Sequence, residues 1–352
     1  MAETQRRARV ERLLEAARVL ADGTSDAGQA LRTRLLETCG LSAAGIELGI
    51  VRCLETRATP AALAGLVAST PEASRAHVLL SGNVFVAALR AIALGVAAAA
   101  RVQVRASRRD PALAEALQAL APELFELTTE LRPEAGEHVW AYGSDQTLSK
   151  VRASLPPGVW FHAHGSGLGA VVLDPAAVAD AAAEARAVAL DAALFDQRGC
   201  LSPRVVCVIG SPEQARSLAD ALARELFALE RELPPGPLGP EQLAEARKNR
   251  DAAAYAFELF DAGSGWVTLS DRVVVPAAAR CLHVASTSDA LKALAALAPH
   301  LTCISTNAPA ALAARLRAAF GGARLVALGD MQRPPLDGPV DRRHAPSGEL
   351  IG

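Results

Sequence analysis

The sequence has few aromatic residues, little lysine and almost no net charge. Aromatic side chains make up 4% of the 352 residues, and lysine occurs only three times among 36 basic residues, which face 38 acidic ones. A formal charge of −2 provides no broad cationic surface, so nucleic acid is excluded as the expected partner. With 51% apolar residues the chain has enough material for a large buried core, which excludes a disordered protein.

Long apolar runs and closely spaced cysteines are absent too. The longest apolar run extends only from Ala91 to Ala100, whereas a membrane-spanning helix needs about 20 apolar residues. Residues 1–20 have the pattern of an amphipathic helix, without the apolar region of a signal peptide. The six cysteines are scattered without metal-ligand spacing, which indicates reduced thiols. We therefore expect a cytoplasmic protein without a membrane span and without a bound metal.

From about residue 77 onward, short β-branched runs alternate with long helical patterns rich in alanine and leucine. Each run is continuously apolar, as expected of parallel strands that helices cover on both faces. The predicted strands are His77–Leu80, Val102–Val104, Val139–Tyr142, Val159–Phe161, Ala170–Leu173, Val205–Ile209, Leu282–Ala285, Thr302–Ser305 and Leu325–Leu328. The alternation predicts an α/β fold built from βαβ units.

Capping residues and prolines mark one long helix and the loop that follows it. Ser211, Pro212 and Gln214 form an N-terminal capping pattern, which predicts that a long helix begins there. The helix is expected to end at the segment Leu233–Pro240, whose four prolines predict a surface loop or the rim of a cleft. Residues 330–352 are expected to lie on the surface as a tail.

Cys200 differs from the other five cysteines in its position. It lies in a turn punctuated by Gly199 and Pro203, between a predicted helix over Pro175–Ala193 and the predicted strand Val205–Ile209. A thiol exposed in such a turn, near backbone amides, is readily ionised to a nucleophilic thiolate. The alternative is a small buried apolar side chain, which is the ordinary role of a cysteine in a core. The turn favours the nucleophile.

The segment Asp196–Pro203, with the sequence DQRGCLSP, resembles the nucleophile segment of the aldehyde dehydrogenase superfamily. Within that superfamily it is most similar to the bacterial acyl-CoA reductases known from the bioluminescence fatty-acid reductase. Further segments that resemble this family follow in the expected order over about residues 75–335: Gly82-Asn83, Val102–Ser107, Tyr142–Thr147 and Gly329–Pro335. The resemblance implies that Cys200 is the catalytic nucleophile and that the Asn83 amide helps to hold the reacting oxyanion.

The resemblance also implies the fold and its division into domains. The expected fold is aldehyde dehydrogenase-like α/β, with a Rossmann-type cofactor domain, an α/β catalytic domain and a helical N-terminal segment. We expect the helical segment over residues 1–69 and the dinucleotide-binding domain over 70–192 together with about 321–352. The catalytic domain with its nucleophilic cysteine is expected over 193–320.

The resemblance implies that two loops bind a dinucleotide. The first follows the strand that meets the adenosine ribose, and the second is a Gly-Ser turn before a helix, whose free amides can face a phosphate. The implied cofactor-binding residues are Arg105, Ser107, Gly143, Ser144 and Thr147. Gly-Ser turns are common, however, and Asn83 could equally cap the helix that follows it.

An arginine cluster bears on which dinucleotide is used. Arg105, Arg108 and Arg109 place three guanidinium groups just after a predicted strand. Arginine binds phosphate through two parallel hydrogen bonds, so the cluster favours the 2′-phosphate of NADPH. The alternative is a solvated loop that is rich in arginine because the whole chain is.

One carboxylate that hydrolytic aldehyde dehydrogenases carry is missing. The matching segment Phe161–Val172 contains no aspartate or glutamate, so no general base is present there to activate water. Hydrolysis of a cysteine thioester should then be slow, which leaves coenzyme A exchange and hydride transfer. His164, in the same segment, is predicted to be a structural histidine, with a proton shuttle or coenzyme A contact as the alternative.

The sequence therefore predicts an oxidoreductase that reduces a fatty acyl-CoA to an aldehyde with NADPH. An S-acyl cysteine would be the intermediate and coenzyme A the leaving group. The alternatives are a non-acylating aldehyde dehydrogenase and a catalytically silent binding protein with the same fold. Assembly with copies of the same chain or with an acyl-activating enzyme is left open.

Overall fold

The computed structural model describes residues 1–177, 180–277 and 279–352. These residues form two compact units. The first unit consists of residues 1–40, 46–166 and 335–352, and the second of residues 41–45 and 167–334. Each unit contains its own sheet, and elements are numbered along the chain through both units.

The strands are β1 Arg75–Leu79, β2 Arg101–Arg105, β3 Glu126–Leu127, β4 His138–Tyr142, β5 Trp160–His164, β6 Leu168–Leu173, β7 Pro203–Ile209, β8 Glu258–Ala262, β9 Gly265–Ser270, β10 Cys281–Thr287, β11 Leu301–Thr306, β12 Arg324–Val326 and β13 Glu349–Leu350. The α-helices are α1 Glu3–Ala21, α2 Asp26–Thr38, α3 Ala43–Leu48, α4 Pro60–Ala68, α5 Ala87–Ala98, α6 Ala112–Leu120, α7 Asp145–Ser154, α8 Ala181–Ala193, α9 Pro212–Leu229, α10 Pro240–Ala256, α11 Ala290–Leu294 and α12 Ala310–Ala319. A π-helical turn covers Gly49–Cys53, and 3-10 turns cover Pro175–Ala177, Leu194–Gln197 and Ala295–His300.

The sheet of the first unit has the strand order β13-β5-β4-β1-β2-β3. All neighbouring strands are parallel except β13, which runs antiparallel to β5 at the edge. The chain builds β1, β2 and β3 in one direction and then returns to place β4 and β5 on the other side of β1. This is the strand order of an open, doubly wound α/β sheet, in which the order reverses between β1 and β4.

The N-terminal helices pack onto this sheet unit. Helix α1 buries one apolar face, and Arg6 is also buried there. The Arg6 guanidinium donates hydrogen bonds to the carbonyl oxygens of Ala97 and Thr70, both at 2.5 Å. The helical segment expected over residues 1–69 therefore belongs to the first compact unit except for residues 41–45, which belong to the second.

The sheet of the second unit has the strand order β12-β11-β6-β7-β10-β9-β8. Its strands are parallel except for the antiparallel pair of β8 and β9. Every residue of β6 is buried, as expected for a strand in the middle of a sheet with both faces covered. Helix α9 begins with the predicted capping box between Ser211 and Gln214, so that prediction is confirmed.

All nine predicted strands occur, and the α/β fold is confirmed. The division expected at residue 193 falls inside the second unit, because β6 and α8 pack with the second sheet. The helix predicted over Pro175–Ala193 consists of a 3-10 turn and α8, and its residues 178 and 179 lie outside the described residues. In the parts of the chain that the structure describes, no helix combines the length and apolarity needed to cross a membrane.

The prediction of a surface tail over residues 330–352 is wrong for those residues that are buried or hydrogen-bonded to the first sheet. Met331 and Leu336 are buried, and Ile351 exchanges backbone hydrogen bonds with Gly158 (2.8 Å) and Val159 (2.9 Å). These bonds hold the end of the chain against the edge of the first sheet.

Candidate active site

Three loops of the first unit follow the carboxyl ends of neighbouring parallel strands. Gly82 and Asn83 follow β1, Ser107 follows β2, and Gly143 and Ser144 follow β4. Because β1 and β4 flank the point where the strand order reverses, these loops border the crevice in which open α/β sheets bind ligands. The structure therefore brings the predicted cofactor residues to one edge of one sheet.

The Gly-Ser turn begins helix α7. Ser144 is its N-cap, and its side-chain oxygen accepts a hydrogen bond from the Thr147 amide (3.2 Å) and lies 3.0 Å from the Thr147 hydroxyl. The amides of Asp145 and Gln146, in the first helical turn, have no acceptor within the helix. The start of α7 thus leaves two backbone amides without a helical acceptor, an arrangement that fits an anion, and Ser144 and Thr147 shape the turn.

Gly82 lies close to the loop that follows β2. A Cβ atom at this position would lie 2.5 Å from Ser107 Oγ and 3.2 Å from Ser107 Cβ, so a larger residue would require this loop to shift. Asn83 is exposed, and helix α5 begins later, with Val86 at its N-cap position and no side-chain cap. The alternative that Asn83 caps the following helix is therefore wrong.

Three arginines lie at the end of β2 or just after it. Arg105 is half-buried at the end of the strand, and Arg108 and Arg109 are exposed. With the other residues that the structure describes, none of the three forms an ion pair. Together with the backbone amides at the start of α7 and with Gly82, these arginines fit a nucleotide phosphate.

Cys200 lies in the second unit, between the 3-10 turn Leu194–Gln197 and β7. We call residues 194–202 the nucleophile turn. Cys200 is half-buried, whereas the other five cysteines are buried. Burial raises the pKa of the Cys207 and Cys281 thiols to about 12 and also raises that of Cys303. None of the six, all of which are described residues, forms a disulfide. Cys200 is thus more exposed than any of the other five cysteines.

Gln197 fixes the turn before Cys200 from inside the protein. Its side-chain nitrogen donates to the carbonyl oxygens of Pro203 and Cys281, both at 2.7 Å, and its oxygen accepts from the Cys281 amide at 2.9 Å. Gln197 has a φ of 59°, a conformation that costs a non-glycine residue about 1–2 kcal/mol. The buried amide contacts offset this cost.

The segment Gly329–Pro335 contacts the nucleophile turn through Gln332. Gln332 donates from its side-chain nitrogen to Ser202 Oγ and to the carbonyl oxygen of Asp191, both at 3.1 Å. A Cβ on Gly169 would lie 2.4 Å from Met331 Cε, so β6 packs tightly against this segment. Gln332 lies in one of the segments that resemble the family, but no feature of the sequence predicts its contact with Ser202.

The carbonyl oxygen of Cys200 also has a partner in a neighbouring strand. The Thr302 hydroxyl, which has one hydrogen to donate, lies within hydrogen-bond distance of this oxygen and of the Leu168 carbonyl oxygen (3.2 Å). Thr302 is fully buried in β11. This contact holds the backbone of the nucleophile turn and was not predicted.

His164 ends β5 in the first unit, where its ring stacks on Tyr142 with 4.5 Å between ring centroids. Burial lowers the pKa of His164 to about 4, so the ring is neutral at pH 7. Neither ring nitrogen is hydrogen-bonded to a described residue. Stacking and burial favour the structural interpretation of this residue over the proton shuttle.

The neighbouring His162 makes stability depend on pH. It stacks on Trp140, and burial, followed by the charge of His138, lowers its pKa to about 3. The unfolded chain binds a proton at His162 below about pH 6.5, and the folded chain does not. The free energy of unfolding should therefore fall by up to about 1.4 kcal/mol per pH unit between pH 6.5 and 4 for this residue.

Urea denaturation across this pH range measures the effect. His162→Phe, which keeps a stacked ring without a titrating group, should reduce the slope. A slope in His162→Phe equal to that of the wild type would contradict the prediction.

No three histidine, cysteine, aspartate or glutamate side chains are grouped so that they could bind a metal ion within residues 1–177, 180–277 and 279–352.

Comparison with known proteins links this arrangement to one family. The family model described as "Acyl-CoA reductase (LuxC)" matches residues 46–341. No curated protein sequence matches the chain.

Solved structures share the fold at low sequence identity. An oxidoreductase from Marinobacter aquaeolei is 11% identical with a TM-score of 0.69, and the match covers 95% of this chain and 79% of that one. An NAD-dependent benzaldehyde dehydrogenase from Corynebacterium glutamicum is 15% identical with a TM-score of 0.69, covering 94% and 82%. A salicylaldehyde dehydrogenase from Pseudomonas putida G7 is 14% identical with a TM-score of 0.65, covering 94% and 78%.

Proposed function

Because the chain belongs to the acyl-CoA reductase (LuxC) family and is an oxidoreductase acting on aldehyde or acyl groups, we propose that it reduces a fatty acyl-CoA to an aldehyde. The observation that carries this proposal is the accessibility of Cys200. It is the half-buried thiol among six cysteines and lies in a turn that Gln197, Gln332 and Thr302 hold.

The proposed reaction begins with attack of the Cys200 thiolate on the acyl carbon. The carbon–sulfur bond to coenzyme A breaks, coenzyme A leaves as a thiolate that takes up a proton, and the acyl group stays on Cys200 as a thioester. NADPH, when bound, supplies a hydride to the acyl carbon. Collapse of the resulting thiohemiacetal breaks the bond to Cys200, so that aldehyde leaves and the thiolate is restored.

Two donors are proposed to hold the oxyanion that forms in each step. They are the side-chain amide of Asn83 and the backbone N–H of Cys200. Donors aimed at a developing negative charge stabilise the transition state more than the substrate, which is why they raise the rate.

The absence of a carboxylate from Phe161–Val172 supports a reductase that releases aldehyde. A general base at that position would activate water and divert the acyl-enzyme to free acid. The alternative of a non-acylating aldehyde dehydrogenase needs such a base. The alternative of a silent binding protein predicts that Cys200 does not react with acyl thioesters.

Incubation with radiolabelled acyl-CoA separates the three. Label retained on Cys200 and released as aldehyde when NADPH is added supports the reductase. Release as free acid indicates the ordinary aldehyde dehydrogenase, and no labelling indicates the binding protein. Mass spectrometry of the Cys200 peptide identifies the labelled residue.

Arg105 is proposed to select NADPH over NADH. Arg105→Ala should raise the KM for NADPH roughly tenfold, as expected for the loss of a charged hydrogen bond of about 1.5 kcal/mol, and should change the KM for NADH little. Arg101→Ala is the matched control, because Arg101 is exposed at the opposite end of the same strand. Equal changes for both dinucleotides would show that Arg105 does not contact the 2′-phosphate.

The benzaldehyde dehydrogenase above is NAD-dependent, so NADH is the alternative to be measured.

A further inference from the structure

The residues that precede Cys200 have an unfavourable backbone conformation. Phe195, Asp196 and Gln197 have φ angles of 55°, 50° and 59°, a region that residues other than glycine avoid. Such a conformation persists only where the surrounding structure holds it. The side-chain amide of Gln197 provides one attachment, and the carboxylate of Asp196 provides the other.

Both oxygens of the Asp196 carboxylate are bound. Oδ1 accepts hydrogen bonds from Nε (3.0 Å) and Nη2 (2.8 Å) of Arg280. Oδ2 accepts one from the backbone amide of Gly236 (3.0 Å) and a longer one from Arg198 Nη2 (3.3 Å). Only 3% of the Arg280 surface is exposed. A buried, two-pronged arginine contact of this kind fixes geometry as well as charge.

Arg280 is held on its other side by the proline-rich segment that follows α9. Its Nη1 donates to the carbonyl oxygen of Leu233 (2.8 Å), and Gly236 of the same segment binds Asp196. The backbone carbonyl of Arg280 packs so closely on Gly265 that a Cβ there would lie 2.3 Å from it. The ion pair thus joins the nucleophile turn, the start of β10 and the proline-rich segment.

We propose that Asp196 and Arg280 are positioning residues, whose ion pair holds the turn carrying Cys200 in the geometry that acyl transfer requires. The inference rests on the proposed role of Cys200 as nucleophile. Without the pair, the left-handed residues can relax to conformations of lower energy and carry the turn with them. A shift of about 1 Å in a reacting group lowers a rate by roughly a hundredfold.

The first test is Arg280→Lys, which keeps the positive charge but loses the two-pronged contact. Acylation of Cys200 by acyl-CoA should slow roughly a hundredfold, with the KM for acyl-CoA nearly unchanged. Alkylation of Cys200 by iodoacetamide should stay near the wild-type rate, because a small reagent can attack from many directions. Asp220→Asn is the control, since it breaks the exposed pair of Asp220 with Arg224 in the same unit.

The second test is Asp196→Gly, which tolerates the positive φ but has no carboxylate. This variant relieves the backbone conformation at residue 196 but leaves the buried Arg280 without its carboxylate partner, so thermal unfolding is measured to verify that it folds. Its acylation should be slow as well. Acylation at the wild-type rate in either folded variant would overturn the proposal, as would equal slowing of acylation and iodoacetamide alkylation.

A readout without substrate separates this proposal from the proposed function. If acyl-CoA does not label wild-type Cys200 at all, the proposed function fails. Amide hydrogen exchange then tests the positioning role by itself. Faster exchange over residues 195–203 in Arg280→Lys, with the rest of the protein unchanged, would support it, and unchanged exchange over these residues would overturn it.

Discussion

Cys200→Ala should abolish acyl labelling and lower the rate of aldehyde formation by roughly 10⁴-fold or more, as the loss of a covalent nucleophile does in other enzymes. The alanine cannot form the thioester, so the reaction loses the intermediate through which it is divided into two easier steps. The fold should survive, because the hydrogen bond from Thr302 reaches the backbone of Cys200 and not its side chain. Labelling measured by mass spectrometry and aldehyde measured by trapping are the two readouts.

The control for this variant is Cys39→Ala, which removes a buried thiol from the first unit. It should keep both labelling and aldehyde formation, even though the number of thiols falls by the same amount. Labelling that persists in Cys200→Ala would exclude Cys200 as the nucleophile and would redirect the search to the buried thiols.

The position of Cys200 could be predicted because its signal is local. Gly199 and Pro203 mark a turn, whereas Cys207 and Cys303 lie within apolar runs that form β7 and β11. A continuous apolar run predicts a strand buried on both faces, and burial is what makes a thiol inert. Local pattern was therefore sufficient to separate the accessible cysteine from two of the buried ones.

The residues that support Cys200 could not be predicted, because they are distant along the chain. Arg280 is 84 residues from Asp196, Thr302 is 102 residues from Cys200, and Gln332 is 130 residues from Ser202. The sheet order β11-β6-β7-β10 brings these positions together. A single sequence indicates which segments are strands, but not which strands are neighbours.

The boundary between the two units could not be predicted for the same reason, because it depends on which strands are neighbours. The run Ala170–Leu173 was predicted as a strand, yet nothing in its composition shows that it pairs with β7 and β11 and not with β5. The hairpin of β8 and β9 was not predicted at all, because Glu258, Asp261 and Gly263 interrupt its apolar pattern. Edge strands with polar residues lack the continuous run on which the prediction relied.

Asn83→Ala should slow turnover by roughly a hundredfold, which corresponds to the loss of one oxyanion donor worth about 3 kcal/mol. The KM for acyl-CoA should change less than kcat, because the contact forms with charge that develops in the transition state. The Asn83 side chain is exposed and caps no helix, so thermal stability should stay at the wild-type value. Stopped-flow measurement of Cys200 acylation isolates the step concerned.

A graded pair of substitutions distinguishes an oxyanion donor from a residue that only fills space. Asn83→Asp keeps the shape of the side chain but replaces its donor with a negative charge, which repels the oxyanion. Acylation should therefore be slower in Asn83→Asp than in Asn83→Ala, although aspartate resembles asparagine more closely. Ser81→Ala, two residues earlier in the same loop, is the control and should acylate at the wild-type rate. If Asn83→Asp instead reacts faster than Asn83→Ala, shape and not hydrogen-bond donation is what this position contributes, and the oxyanion must be held without Asn83.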